Sequence, residues 1–114
     1  MRTMKLSLGP ITAFKLIKAN GEGPFNGGIT YEVGKTYEVA EANTNEHEPC
    51  GAGINLATID WCLNERQRNY RLLLCTFNPE DIAAIPYGTD GKFRVTKCKV
   101  VREVDWKEVE GEIT

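Results

Sequence analysis

Tyr70-Arg71-Leu72-Leu73-Leu74-Cys75-Thr76-Phe77 is apolar on both parities, the pattern of a strand covered on both faces. It predicts the central strand of the fold. Immediately after it, Asn78-Pro79-Glu80-Asp81 offers a cap, a proline suited to a first helical position and two acids for the positive end of a helix dipole, so a short helical turn is expected over residues 79–84, ended by Pro86. Thr89-Asp90-Gly91-Lys92 reads as a turn into a last long strand, 93–104. Its apolar phase shifts from Phe93 and Val95 to Cys98 and Val100, which calls for a bulge near Thr96-Lys97 or a change of buried face.

Upstream, Thr58 can cap a helix in which Ile59, Cys62 and Leu63 recur at helical spacing, so the main helix is placed at 58–67. Residues 40–49, with Glu41, Glu46, His47 and Glu48, show no period and read as a solvated loop. Tyr31, Val33, Tyr37 and Val39 keep one parity around a Gly34-Lys35 bend, giving two short strands or one bent strand. Phe14 and Leu16 share a face of a first strand over 12–19, which Gly21, Gly23 and Pro24 stop. The sum is an α+β domain, mostly antiparallel β-sheet, with one main helix and one helical turn. The whole chain, 1–114, reads as a single domain with an ordered core at 12–105 and flexible tails at 1–9 and 107–114.

The chain has 114 residues, 41% of them hydrophobic and 26% charged, a balance that excludes fibrous and wholly disordered classes. No run approaches the length of a membrane span and the first residues lack a signal-sequence core. A cytoplasmic protein without membrane contact is therefore expected. Of the four cysteines, Cys62, Cys75 and Cys98 sit in apolar patterns and no CxxC pair occurs, so reduced, structural thiols are expected rather than a metal or redox site. A net charge of −2 argues against nucleic-acid binding through bulk charge.

Candidate chemistry is sparse. Gly28 with Val33-Gly34-Lys35-Thr36 resembles a phosphate-binding loop, but five residues separate the glycines instead of four and a strand pattern follows. His47 stands three residues from Cys50 with no third group to orient it, so no catalytic residue is assigned. The best candidate binding segment is Cys50, Gly51, Gly53 and Asn55 with Thr58 at the helix start; no cofactor or metal is implied. Lys92, Arg94, Lys97, Lys99 and Arg102 fall in a stretch without acids, and Arg66, Arg68 and Arg71 are placed to join them if the last strand lies beside the central one. Residues 22–48 instead hold six acids and one lysine. Such a charge dipole would steer association or favour head-to-tail self-contact between copies.

Four stretches taken in order carry a family resemblance: Tyr31-Glu32-Val33-Gly34-Lys35-Thr36-Tyr37, Cys50-Gly51-Ala52-Gly53-Ile54-Asn55-Leu56, Leu74 through the Asn78-Pro79-Glu80-Asp81-Ile82-Ala83-Ala84-Ile85-Pro86 segment, and Gly91-Lys92-Phe93-Arg94-Val95. Together they resemble a small phage-associated domain that occurs alone in short phage or prophage proteins and at the carboxyl end of phage rapid-lysis B-like (RIIB-like) proteins. The resemblance spans residues 27–105. Where the family pattern, Cys-x-x-Gly-Leu-His, has histidine, this chain has Asn55. An amide does not exchange protons near neutral pH, so any proton transfer by that histidine would be lost here.

The resemblance implies phage or mobile-element origin and no particular activity. The expected function is that of a small non-enzymatic accessory protein contacting an unknown host or phage macromolecule. The alternatives are a nucleotide- or polyanion-binding protein, or an enzyme with a pocket near Cys50–Asn55.

Overall fold

The computed structural model describes residues 10–24, 28–39, 53–85 and 91–110. In chain order these form β1 (Ile11–Ile17), β2 (Thr36–Glu38), β3 (Ile54–Ala57), α1 (Ile59–Glu65), β4 (Arg71–Phe77), one 3-10 turn (Pro79–Asp81), β5 (Ile82–Ala84), β6 (Lys92–Val95), β7 (Lys97–Val104) and α2 (Trp106–Glu110). The seven strands make one antiparallel sheet in the order β2-β7-β4-β1-β3-β6-β5. The α+β, mostly β class read from the sequence is the observed one.

The sheet closes on itself. β6 and β7 are two halves of one run interrupted only at Thr96, and β6 pairs with β3, β3 with β1, β1 with β4 and β4 with β7. The short strands β5 and β2 flank the other side of that long run and meet at its break, where Thr96 N–H donates to Asp81 O and Thr96 O accepts from Val39 N–H, each at 2.9 Å. The interior holds Ile17, Ile54, Leu73, Val95 and Val100, with Tyr31 packed among them. On the outer face Leu16, Ala57 and Leu72 are covered by α1 through Cys62 and by α2 through Val109. β4 contributes to both clusters, as its two apolar parities require.

The phase shift in the last strand has two causes. At Thr96 the backbone bends, so that Val95 and then Cys98 and Val100 all point inward. A second irregularity follows where Leu74 faces Arg102 but Cys75 faces Val100; beyond it Val104 lies in the outer cluster.

Two expectations at element ends are corrected. The helical turn stops at Asp81 instead of reaching residue 84, because Ile82 and Ala84 pair with Val95 and Arg94 of β6 and strand pairing outcompetes another helical turn. Residues 107–110, expected to belong to the flexible tail, lie in α2 (Trp106–Glu110). Asp105 and Glu108 cap it reciprocally: Asp105 Oδ1 accepts from Lys107 N–H at 3.0 Å and Glu108 Oε2 accepts from Asp105 N–H at 2.9 Å. Trp106 Nε1–H donates to Tyr70 O at 2.9 Å, and Val109 is buried. Cys50, Gly51, Tyr87, the loop at 40–49, the turn residues Thr89 and Asp90, and residues 1–9 and 111–114 lie outside the described residues.

α1 occupies the middle of its expected span. Thr58 accepts from Trp61 N–H at 3.3 Å and its own N–H donates to Gly91 O at 2.9 Å, tying the helix start to the turn before β6. Gly91 is held at φ +115, and a Cβ there would meet Thr58 Oγ1 at 2.5 Å. Gly91→Ala therefore combines a left-handed backbone penalty with a clash. We expect it to lower unfolding free energy by about 2 kcal/mol in urea titration, and the losses to be less than additive in Gly91→Ala/Thr58→Ala, where the clashing Oγ1 is gone; an unchanged midpoint in Gly91→Ala, or additive losses in the double variant, would count against the contact.

Candidate functional site

The barrel seam lies between β1 and β3, which share a single register pair, Phe14↔Ala57. Beyond that pair the strands part, and the carbonyl of Asn55 is met by the side chain of Lys15, whose Nζ donates to it at 2.8 Å. Lys15 shares the parity of Ala13 and Ile17, so its stem runs inward; its ammonium stands 5.0 Å from the Tyr31 ring centroid. The residue is only 5% exposed. Desolvation by burial lowers its pKa from 10.5 to about 8, and the charge of Lys92 pushes the same way. Lys15 is thus a buried ammonium held by one carbonyl and an aromatic face.

Cys75 of β4 and Cys98 of β7 lie in the same interior cluster. The Cys75 thiol donates a hydrogen bond to the Cys98 sulfur, which raises the value at Cys75, reinforced by burial, and lowers it at Cys98, where Lys15 adds a favourable charge. Cys62, on the other side of the sheet, has its thiol pushed up to about 12 by burial. All three are free and buried, as the apolar sequence patterns imply.

The segment proposed from sequence comes together only in part. Asn55 and Thr58 are described, Thr58 as the helix cap, while Gly53 begins the approach to β3 with φ +128. Asn55 is the register partner of Arg94 on the outer face, and its Oδ1 is buried with no hydrogen-bond partner among the described residues. The α1 backbone offers little to an anion, since Thr58 already takes the Trp61 N–H.

The eight cations do not form one surface. Lys92 and Arg94 are buried, Lys92 with its Nζ 5.6 Å from the Trp61 ring centroid. Arg66 pairs with Glu110 at 2.7 Å and lies over Trp106, Arg71 grips Glu103 with two bonds of 2.9 and 3.1 Å, and Arg102 pairs with Glu108 at 3.1 Å. The hydrogen bond from Arg71 holds the Glu103 carboxyl below its ordinary range. These acids belong to the end of β7 and to α2, which folds back over the arginines. Arg68 is exposed in the turn after α1, and Lys97 and Lys99 are exposed on β7.

One arrangement had no sequence-level signal. Thr36, Lys99, Thr76 and Thr12 stand in register across β2, β7, β4 and β1, on the outer face. Three of them, Thr36, Lys99 and Thr76, line a groove of about 210 Å³ with Lys97, Asn78 and Asp81. Lys97 has Glu38 as its register partner. The row thus presents hydroxyls and an ammonium at strand spacing, a donor-rich surface for carboxylates or phosphates.

Comparison with protein-family models, curated proteins and solved structures finds no match. Among the described residues no cluster of metal-ligating side chains is found, and no helix is long and apolar enough to cross a membrane.

The buried ammonium has a pH signature. Because its folded-state pKa of about 8 lies below 10.5, the unfolded chain binds more protons between these values and stability rises with pH through that window. The raised Cys62 and Cys75 thiols act in the opposite sense above their ordinary value of 9.0. The difference between wild type and Lys15→Met isolates the lysine: from about pH 7.5 to about pH 9 it should shift toward the wild type by on the order of 1 kcal/mol. A pH-independent difference in urea unfolding would show that the ammonium is solvated.

Proposed function

We propose that this chain is a small non-enzymatic accessory protein of phage type, and that it works by docking an acidic segment of a partner protein on the outer face of β2, β7 and β4. The carrying observation is the Thr36-Lys99-Thr76-Thr12 row beside Lys97. Its hydroxyls and ammonium can donate to several carboxylates along one line, while Asp81 and Glu38 at the margins penalise a misplaced acid. The ordered resemblance to the phage-associated domain supports the accessory role.

A protein partner is favoured over nucleic acid by the charge count at this face. Only Lys97 and Lys99 line the groove, whereas Arg66, Arg71 and Arg102 are each held by a glutamate. Tight phosphate-backbone binding needs many neutralising contacts and single-strand binding adds aromatic stacking; among the described residues the one aromatic lining the groove is Phe77, which is buried.

The test uses a fluorescein-labelled peptide rich in aspartate and glutamate, and a labelled single-stranded oligonucleotide of equal charge, in anisotropy titrations at low and physiological salt. The peptide should bind more tightly than the oligonucleotide, weaken with salt, and lose at least about tenfold in affinity in Lys97→Glu/Lys99→Glu. Preference for the oligonucleotide, or peptide binding untouched by the double substitution, would refute the docking reading.

A further inference from the structure

We propose that Cys75 and Cys98 are a peroxide-oxidisable thiol pair that closes into a disulfide between β4 and β7 inside the barrel. Two placements converge on it. Both side chains lie in the interior cluster, 0% and 1% exposed. Cys75 faces Val100 across the strand pair, which makes Cys98 its diagonal neighbour on the same face. The opposite directions in which the two thiols are shifted agree with contact between them.

The roles of the two sulfurs follow from their surroundings. Cys98 accepts the hydrogen bond of the Cys75 thiol and has the Lys15 ammonium as a favourable charge, so it is the sulfur that carries thiolate character. Both thiols are almost fully covered, so an oxidant as small as hydrogen peroxide reaches them through local opening of the barrel. The Cys98 thiolate attacks one peroxide oxygen, the O–O bond breaks, and hydroxide leaves to take up the proton first released by the thiol, giving a sulfenic acid and one water. The Cys75 sulfur then attacks the Cys98 sulfur; the S–O bond breaks and the departing hydroxide takes the Cys75 proton as a second water. Two thiols are oxidised to one disulfide and one peroxide is reduced to two waters.

Cys62 has no part in this. It sits in the outer cluster, on the opposite side of the sheet, with its proton held by burial. The bond would tie together the residues directly beneath Thr76 and Lys99, but the inference does not depend on what docks there.

The experiment treats the reduced full-length protein with hydrogen peroxide, removes excess peroxide with catalase, alkylates under denaturing conditions and maps the peptides by mass spectrometry without reduction. The Cys75–Cys98 cross-linked peptide should be the main product, with Cys62 alkylated. In Cys75→Ser, dimedone should trap a sulfenic acid at Cys98, and Cys98→Ser should oxidise at position 75 at least about tenfold more slowly. Should either variant fail to fold, the wild-type map decides alone. Cys75 and Cys98 both remaining alkylatable after peroxide, or a main cross-link involving Cys50 or Cys62, would overturn the proposal, as would equal oxidation rates in the two variants.

Discussion

The closed barrel depends on a seam that the backbone barely makes. β1 and β3 share one register pair, at Ala57, and the carbonyl of Asn55, two residues away on β3, is satisfied by the Lys15 ammonium, reaching across the gap from the interior at 2.8 Å. A lysine here does what a backbone N–H would do in a continuous ladder, with the added cost of an unhydrated charge. The Tyr31 face and the neighbouring sulfurs lessen that cost. The mutual hydrogen bond and burial dominate the Cys75–Cys98 pair, and the same amine that closes the seam adds a smaller pull toward thiolate at both sulfurs, so the core cannot be treated as a passive apolar filling.

Charge elsewhere is arranged to keep the outer face selective. The arginines at 66, 71 and 102 are occupied by Glu110, Glu103 and Glu108, so the end of β7 and α2 consume the positive potential that the linear sequence suggests. Exposed pairs of this kind add little stability each; their larger effect is to neutralise Arg71 of β4 and Arg102 of β7, beside the exposed Lys97 and Lys99. Short three-residue strands at both ends of the sheet order, β2 and β5, limit edge-to-edge association.

Much of the fold was legible because local signals agreed. The doubly apolar run at 70–77 and the Thr58-capped helix were readable from burial pattern and cap chemistry, and the phase shift at Thr96 from side-chain alternation. The misreadings were failures of competition between local and distant partners. Asn78-Pro79-Glu80-Asp81 does start a helical turn, but β6 captures Ile82 and Ala84. The capping by Asp105 and Glu108 went unread, because an acidic tail with one tryptophan reads as solvated until Tyr70 and Arg66 are seen to hold it. The site was less legible still. Lys15 stands on the parity of Ala13 and Ile17, and a lysine in an apolar alternation is the one available signal for a buried amine. The Thr36-Lys99-Thr76-Thr12 row depends on strand register, which no local pattern specifies.

An ammonium closes this barrel from within. Following the Lys15 side-chain ¹³Cε resonance against pH by NMR measures it directly. A titration midpoint near 8 is the result the structure requires, whereas a midpoint at the ordinary value of 10.5 would mean that the amine is in water and that the seam is held in some other way.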